Sequence, residues 1–291
     1  MRNIIRLTRP YQWMKNLFVF MPLVFGRQLT DIDSVICSIV AFLAFCLAAS
    51  SIYCLNDIVD VEHDRKHPVK CNRPIASGAV SIRKAYVMMF VLIIISLAVL
   101  FVLLPNTITG YVVLLYWLVN IAYSVRLKHI AIIDVFILSF GFVLRIVAGG
   151  AAIHVGISHW LILMTMLLTL FLGFAKRRDD VMRYKKTGIP PRPNTVRYNF
   201  TFLNEATTVC GSVMLVCYIM YTVSPAVIAS FNNHHIYLTS VYVLLGLLRY
   251  MQLAVVDENT GDPTLTLLRD RFMQVVVVAW LLTFVVIIYF L

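Results

Sequence analysis

VICSIVAFLAFCLAASSIYCL (residues 35–55) runs without a break into NDIVDVEHDRKHPVKCNRPIASG (residues 56–78). The first stretch has no charged residue and is long enough, as helix, to cross a hydrocarbon layer of roughly 30 Å. The second changes character at once. Continued as helix, at about 100° per residue, it sets Asn56, Asp60 and Asp64 on one stripe, with Asp57 about 100° to the side. Glu62 points the other way. Three carboxylates and an amide at the end of a membrane helix make an oxygen-rich, negative site that repels itself unless a cation is held there. Hard oxygen ligands with room for water and phosphate oxygens suit Mg2+. The bases that follow, Arg65, Lys66, Lys70 and Arg73, are placed for an anion that such a metal carries. The plainer alternative is a solvated, charged helix end at a membrane surface.

The rest of the chain supports the membrane reading. Of its 291 residues 60% are hydrophobic and 13% charged, with a mean hydropathy of +0.85. A soluble protein of this length cannot hide that much apolar surface. The apolar runs are continuous and not alternating, which excludes a β-barrel and predicts an all-α membrane protein. The six cysteines stand singly with no CxxC spacing, so neither a disulfide frame nor a zinc site is expected. No signal peptide is expected, because the first apolar run holds Lys15 and Pro22 and lacks a small-residue cleavage site.

Nine transmembrane helices are expected, at about Tyr11–Phe25, Val35–Leu55, Ala85–Leu104, Ile108–Tyr123, Ile130–Ile153, Trp160–Ala175, Ala206–Ser230, Ile236–Val256 and Phe272–Leu291. With them, 22 of the 25 lysine and arginine residues fall on one side, which the positive-inside rule makes cytoplasmic. The N-terminus is then cytoplasmic, and the site lies on the cytoplasmic face of a bacterial-type inner membrane. That asymmetry also accounts for the net charge of +11 without nucleic acid. The two long cytoplasmic loops lie four spans apart. This predicts a single transmembrane domain of two four-helix halves, about 1–153 and 154–256, plus a ninth helix.

Three further polar stretches stand out. KRRDDVMRYKK begins with Lys176, Arg177 and Arg178, followed by Asp179 and Asp180. Bases outnumber acids here, so the stretch could bind phosphate directly, or act only as a topology or anionic-lipid signal. YSVRLKHIAIID, residues 123–134, carries Tyr123, Lys128 and Asp134. Arg145 lies eleven residues beyond Asp134, on nearly the same helical face and about 16 Å deeper. It serves either a site or the capping of carbonyls between helices. GDPTLTLLRDR, with Asp262, Arg269, Asp270 and Arg271, reads as loop salt bridges.

With these residues in view, the chain resembles the UbiA superfamily of intramembrane prenyltransferases, and within it the decaprenyl-phosphate phosphoribosyltransferase branch. NDIVDVEHD fits the first motif of that superfamily, NDxxDxxxD. RPYQWMKN at 9–16, YSVRLKHIAIID at 123–134, FVLRIVAGG at 142–150 and RDR at 269–271 carry the branch likeness. Ordinary members keep a second motif, DxxxD, after the sixth helix. Here KRRDD stands in its place, and adjacent helical residues, about 100° apart, cannot clamp one metal from one face.

The resemblance implies transfer of 5-phosphoribosyl from 5-phosphoribosyl 1-diphosphate to a polyprenyl phosphate in the membrane, with release of diphosphate. It implies Mg2+ held by Asp57, Asp60 and Asp64, with Asn56 beside them. Lys128, Lys176 and Arg177 are then candidates for the donor's phosphates, and Lys15 and Arg73 for the acceptor's. Tyr123, Asp134 and Asp180 join them as substrate contacts, and the loop from His67 to Gly78 could act as a lid. A prenyl diphosphate-dependent transferase for an aromatic or glycerol-type acceptor shares the fold and first motif but needs the second. A transporter would place its polar residues nearer the membrane midplane. The sequence leaves room for a homo-oligomer.

Overall fold

The computed structural model describes residues 2–66, 70–231, 233–257, 266 and 269–289, and these are helical with no strand among them. The first segment is α1 (Arg2–Thr8), a 3-10 helix over Pro10–Phe20 and α2 (Met21–Phe25). The first expected span is therefore not one α-helix. Pro10 and Pro22 each remove a backbone donor at the start of a piece, where a missing N–H costs least.

The helix α3 (Ile32–Val59) begins at Asp31, whose carboxylate accepts from the Ser34 N–H at 3.1 Å. At 28 residues it is roughly 42 Å long, more than a hydrocarbon layer needs, so its last turns reach past that layer. It ends at Asp60 (φ −91°, ψ 5°), and a short α4 (Val61–Lys66) follows. Then come α5 (Ile82–Leu103), α6 (Ile108–Val125), α7 (Ile133–Ala152) and α8 (His159–Thr187). After them lie α9 (Phe200–Thr222), α10 (Pro225–Phe231), α11 (Ser240–Val255) and α12 (Arg271–Tyr289).

Among the described residues seven helical segments are long and apolar enough to cross a membrane: α3, α5, α6, α7, α8, α9, and α11 with the 3-10 turn that precedes it. The ninth expected span is a shorter apolar helix, Arg271–Ile287. This is a multi-pass membrane protein.

The chain forms two compact units, Met1–Lys128 with Phe140–Ser158, and His129–Ser139 with His159–Leu291. The first is built on α3 lying along α5. Small side chains at Ala41, Ala44, Ala48 and Ala49 allow that approach. Ser51 donates to the Met89 carbonyl at 2.8 Å and Ser96 to the Ala44 carbonyl at 2.7 Å. At Gly149 a Cβ would fall 2.0 Å from the Val19 carbonyl oxygen, so only glycine lets the 3-10 helix lie this close. In the second unit α8 lies along α9 around Phe171, Leu203 and Tyr250.

Arg145 shows its role in the first unit. Its guanidinium donates to Asn16 Oδ1 at 2.9 Å, the Gly141 carbonyl at 2.7 Å and the Tyr116 hydroxyl at 3.2 Å. It also lies about 5 Å from the rings of Phe45, Tyr116 and Phe142. Hydrogen bonds and aromatic faces hold this cation with no carboxylate partner among the described residues. Of its two sequence-level alternatives, the structure favours internal capping.

Candidate functional site

The acidic motif sits where α3 ends and α4 begins, in the first unit. Asp57 is 2% and Asp64 1% exposed. They stand seven residues apart, which two helical turns bring to within about 20° of one face. Arg73, from the loop after α4, inserts between them. One guanidinium nitrogen donates to Asp57 Oδ1 at 3.2 Å and to Asp64 Oδ2 at 2.6 Å. Arg9 donates to the same Asp57 oxygen. Asp60, a third exposed, instead pairs with Lys128. Asn56 Oδ1 accepts from the Ser124 hydroxyl of α6.

The stripe expected at 56, 60 and 64 is therefore divided. Among the described residues no three His, Cys, Asp or Glu side chains stand close enough to hold one metal ion. Two causes are visible: the turn at Asp60 interrupts the helix, and separate bases draw the acids in separate directions. The outward direction of Glu62 agrees with expectation: it is 76% exposed and paired with Arg65 at 2.8 Å. The Lys66 side chain and residues 67–69, the start of the expected lid, lie outside the described residues.

The donor set nevertheless fits a divalent cation. Asp57 Oδ2 and Asp64 Oδ1 are buried with no hydrogen-bond partner. A carboxylate oxygen only accepts, and a buried acceptor left alone costs roughly 1–3 kcal/mol. A hard cation satisfies such oxygens directly. Tyr123 is buried near the end of α6, and Lys15 is half-buried on the 3-10 helix beside Asn16.

A second polar network belongs to the second unit. Asp134, 1% exposed at the start of α7, accepts from Arg177 Nε and from the Tyr198 hydroxyl, each at 2.7 Å. Arg177 also donates to Asp180 at 2.9 Å, and Arg192 reaches Asp180 at 3.1 Å. Burial, and then the bond to Asp134, push the Tyr198 phenol above its usual range, so it remains a donor. Arg177 is itself 2% exposed. It holds Asp134 and Asp180 together. Lys176 is half-buried beside it. Asp179 pairs with Arg183 at 2.9 Å. Asp270 pairs with Arg249 at 2.7 Å, while Asp262 lies outside the described residues.

Arg9, Ser124, Arg192 and Tyr198 were not read as functional from sequence. Arg9 could have been suspected from RPYQWMKN, but its backbone conformation (φ 49°, ψ 59°) could not. A residue before proline ordinarily adopts an extended conformation.

Comparison with known proteins places this architecture. The UbiA prenyltransferase family model matches residues 18–276. A decaprenyl-phosphate phosphoribosyltransferase of Mycolicibacterium smegmatis is 34% identical, covering 99% of this chain and 93% of its own. A protein of the same name from Corynebacterium glutamicum is 32% identical over 99% and 87%. The solved structure of a UbiA homolog from Archaeoglobus fulgidus, bound to DMAPP and Mg2+, is similar with a TM-score of 0.72 at 17% identity. It covers 99% of this chain and 100% of that one, and at that identity the likeness is one of fold. With a family match across most of its length and relatives above 30% identity along nearly all of it, the chain belongs to the UbiA prenyltransferase family.

Proposed function

We propose that this protein transfers the 5-phosphoribosyl group of 5-phosphoribosyl 1-diphosphate to a polyprenyl phosphate of the decaprenyl type. The observation that carries this reading is the likeness, along nearly the whole chain, to proteins named decaprenyl-phosphate phosphoribosyltransferase. The state of the second acidic pair agrees with it. Asp179 and Asp180 are each tied to arginines, as befits a base-rich region in place of a second metal site.

In the reaction, a phosphate oxygen of the lipid attacks ribose C1 as the bond from C1 to the diphosphate oxygen breaks. The sugar passes through an oxocarbenium-like state, and attack from the opposite face inverts the anomeric carbon. The nucleophile is already an anion near neutral pH, since the second pKa of a phosphate monoester is about 6. No general base is required of the protein. Asp57, Asp60 and Asp64, with Asn56 beside them, would hold a divalent ion whose charge offsets that of the departing diphosphate. Arg73, Arg9 and Lys128, which pair with these acids, would offer donors to the phosphate oxygens of the same diphosphate. Arg177, by clamping Asp134 and Asp180, positions the α8 segment that presents Lys176.

The site is assigned to the cytoplasmic face of the cell membrane, with the N-terminus on the same side. This rests on the lysine and arginine distribution. The reading is tested with purified protein, Mg2+ and radiolabelled 5-phosphoribosyl 1-diphosphate, offered polyprenyl phosphates of several lengths. Labelled lipid is expected. Transfer only from a prenyl diphosphate donor would replace this reading with that of an ordinary prenyltransferase.

A further inference from the structure

The second unit contains an open cavity of about 500 Å3 that the acidic motif does not use, lined by His129, Ile130, Ile132, Arg197, Tyr198 and Phe202 among others. Its position is set by two helix starts. The α7 helix begins at Ile133, and α9 begins behind Asn199, whose side chain accepts from the Phe202 N–H at 2.8 Å. Both helices run from these starts into long apolar spans, so the cavity lies at the level where polar chain gives way to hydrocarbon.

One wall is held in a costly conformation. Ile132 has φ +71°, the left-handed region that a β-branched residue rarely enters. Its N–H donates to the Tyr198 hydroxyl at 2.6 Å, and that hydroxyl donates onward to Asp134. Asp134 is in turn fixed by Arg177. Phe202 stacks on the Tyr198 ring with centroids 6.1 Å apart. Backbone strain maintained by a surrounding network is characteristic of functional sites. Above this wall the lining combines exposed apolar side chains, Ile130 and Ile132, with the exposed bases His129 and Arg197. Among the described residues neither base has an acidic partner.

We propose that this cavity receives the phosphate head and the first isoprene units of the polyprenyl phosphate acceptor. Arg197 and His129 hold the phosphomonoester, while Ile130, Ile132 and Phe202 cover the hydrocarbon next to it. Charge and apolarity in one groove at the membrane boundary match an anionic amphiphile and suit neither the wholly polar sugar donor nor an uncharged lipid. Tyr198 is a positioning residue here, acting through the Ile132 backbone. The assignment of this occupant rests on the proposed function, and it moves the acceptor phosphate away from Lys15 and Arg73.

The test is direct binding, which does not require turnover. Labelled polyprenyl phosphate is titrated into purified protein held in phosphatidylcholine nanodiscs, and 5-phosphoribosyl 1-diphosphate with Mg2+ is titrated separately. Arg197→Glu is expected to weaken lipid binding by tenfold to a hundredfold while changing donor binding less than twofold. Phe202→Ala should weaken it severalfold, and Tyr198→Phe likewise by freeing Ile132. Unchanged lipid binding in Arg197→Glu, with the variant still monodisperse, overturns the proposal, as does equal weakening for both ligands. Phosphatidylglycerol is added as competitor: failure to displace the lipid supports an acceptor site, and equal displacement makes the groove a general anionic-lipid site and overturns it. If the wild-type protein binds polyprenyl phosphate through Arg197 but transfers no phosphoribosyl group, the lipid site stands and the choice of donor falls.

Discussion

Asp57 and Asp64 accept hydrogen bonds from one and the same nitrogen of Arg73, at 3.2 and 2.6 Å, and each keeps a second oxygen that is buried without a partner. Two acids of like charge are held near one face by a single loop base. A further cation would satisfy these two oxygens.

Replacing Arg73 by alanine leaves both carboxylates without that base. A buried acceptor stripped of its partner costs about 1–3 kcal/mol, so the variant should melt several degrees below wild type without divalent ion. Because a metal can take over the neutralising role, Mg2+ should raise the melting temperature of Arg73→Ala more than that of wild type. Equal responses in a thermal-shift series would show that these acids do not share a cation site.

Asp60 and Glu62 are two residues apart yet differ in what they face. Asp60→Asn should lower transfer by at least a hundredfold with little change in stability, since its side chain is a third exposed and pairs with Lys128. Glu62→Gln, on the solvated side with Arg65, should stay within about twofold, as exposed ion pairs contribute at most about 1 kcal/mol. Comparable damage from both would remove the division of faces.

Lys176 and Arg177 are expected to separate in the same assay. Arg177→Ala opens a buried pair with Asp134, a change that costs about 3–5 kcal/mol, and it should appear first as lost thermal stability. Lys176→Ala should leave stability near wild type and raise the KM for 5-phosphoribosyl 1-diphosphate about tenfold to a hundredfold. Inhibition by inorganic diphosphate should hardly change if Lys176 holds the 5-phosphate, and should weaken in parallel if it holds the leaving group. A Lys176 variant with unchanged KM reduces this residue to a charge that sets topology.

The membrane orientation is open to impermeant thiol labelling of intact cells, in protein whose Cys71 is replaced by serine. Cysteines at Asn72 and Thr187, both exposed, should be shielded. One at Tyr237, 46% exposed, should react. The buried Asn233, which donates to the Ile287 carbonyl at 3.1 Å, is unsuited to this purpose. Labelling at Asn72 and Thr187 from outside would reverse the orientation proposed for the site.

Length and hydropathy determined that this chain is a multi-pass helical membrane protein, because an apolar run of some twenty residues has few other stable solutions in a bilayer. Helical periodicity likewise marked the acidic motif and sent Glu62 to the opposite side, since both depend only on residue spacing. Tertiary structure decided which base each acid meets. Arg9 and Lys128 reach Asp57 and Asp60 from 48 and 68 residues away, and no local pattern encodes such a distance. The same holds for Arg145 and Arg177. Sequence identified both as charges on membrane helices, but only folding brought Asn16 to the one and Asp134 with Asp180 to the other. A buried charge is defined by what surrounds it, and its surroundings come from parts of the chain that meet only in the folded protein.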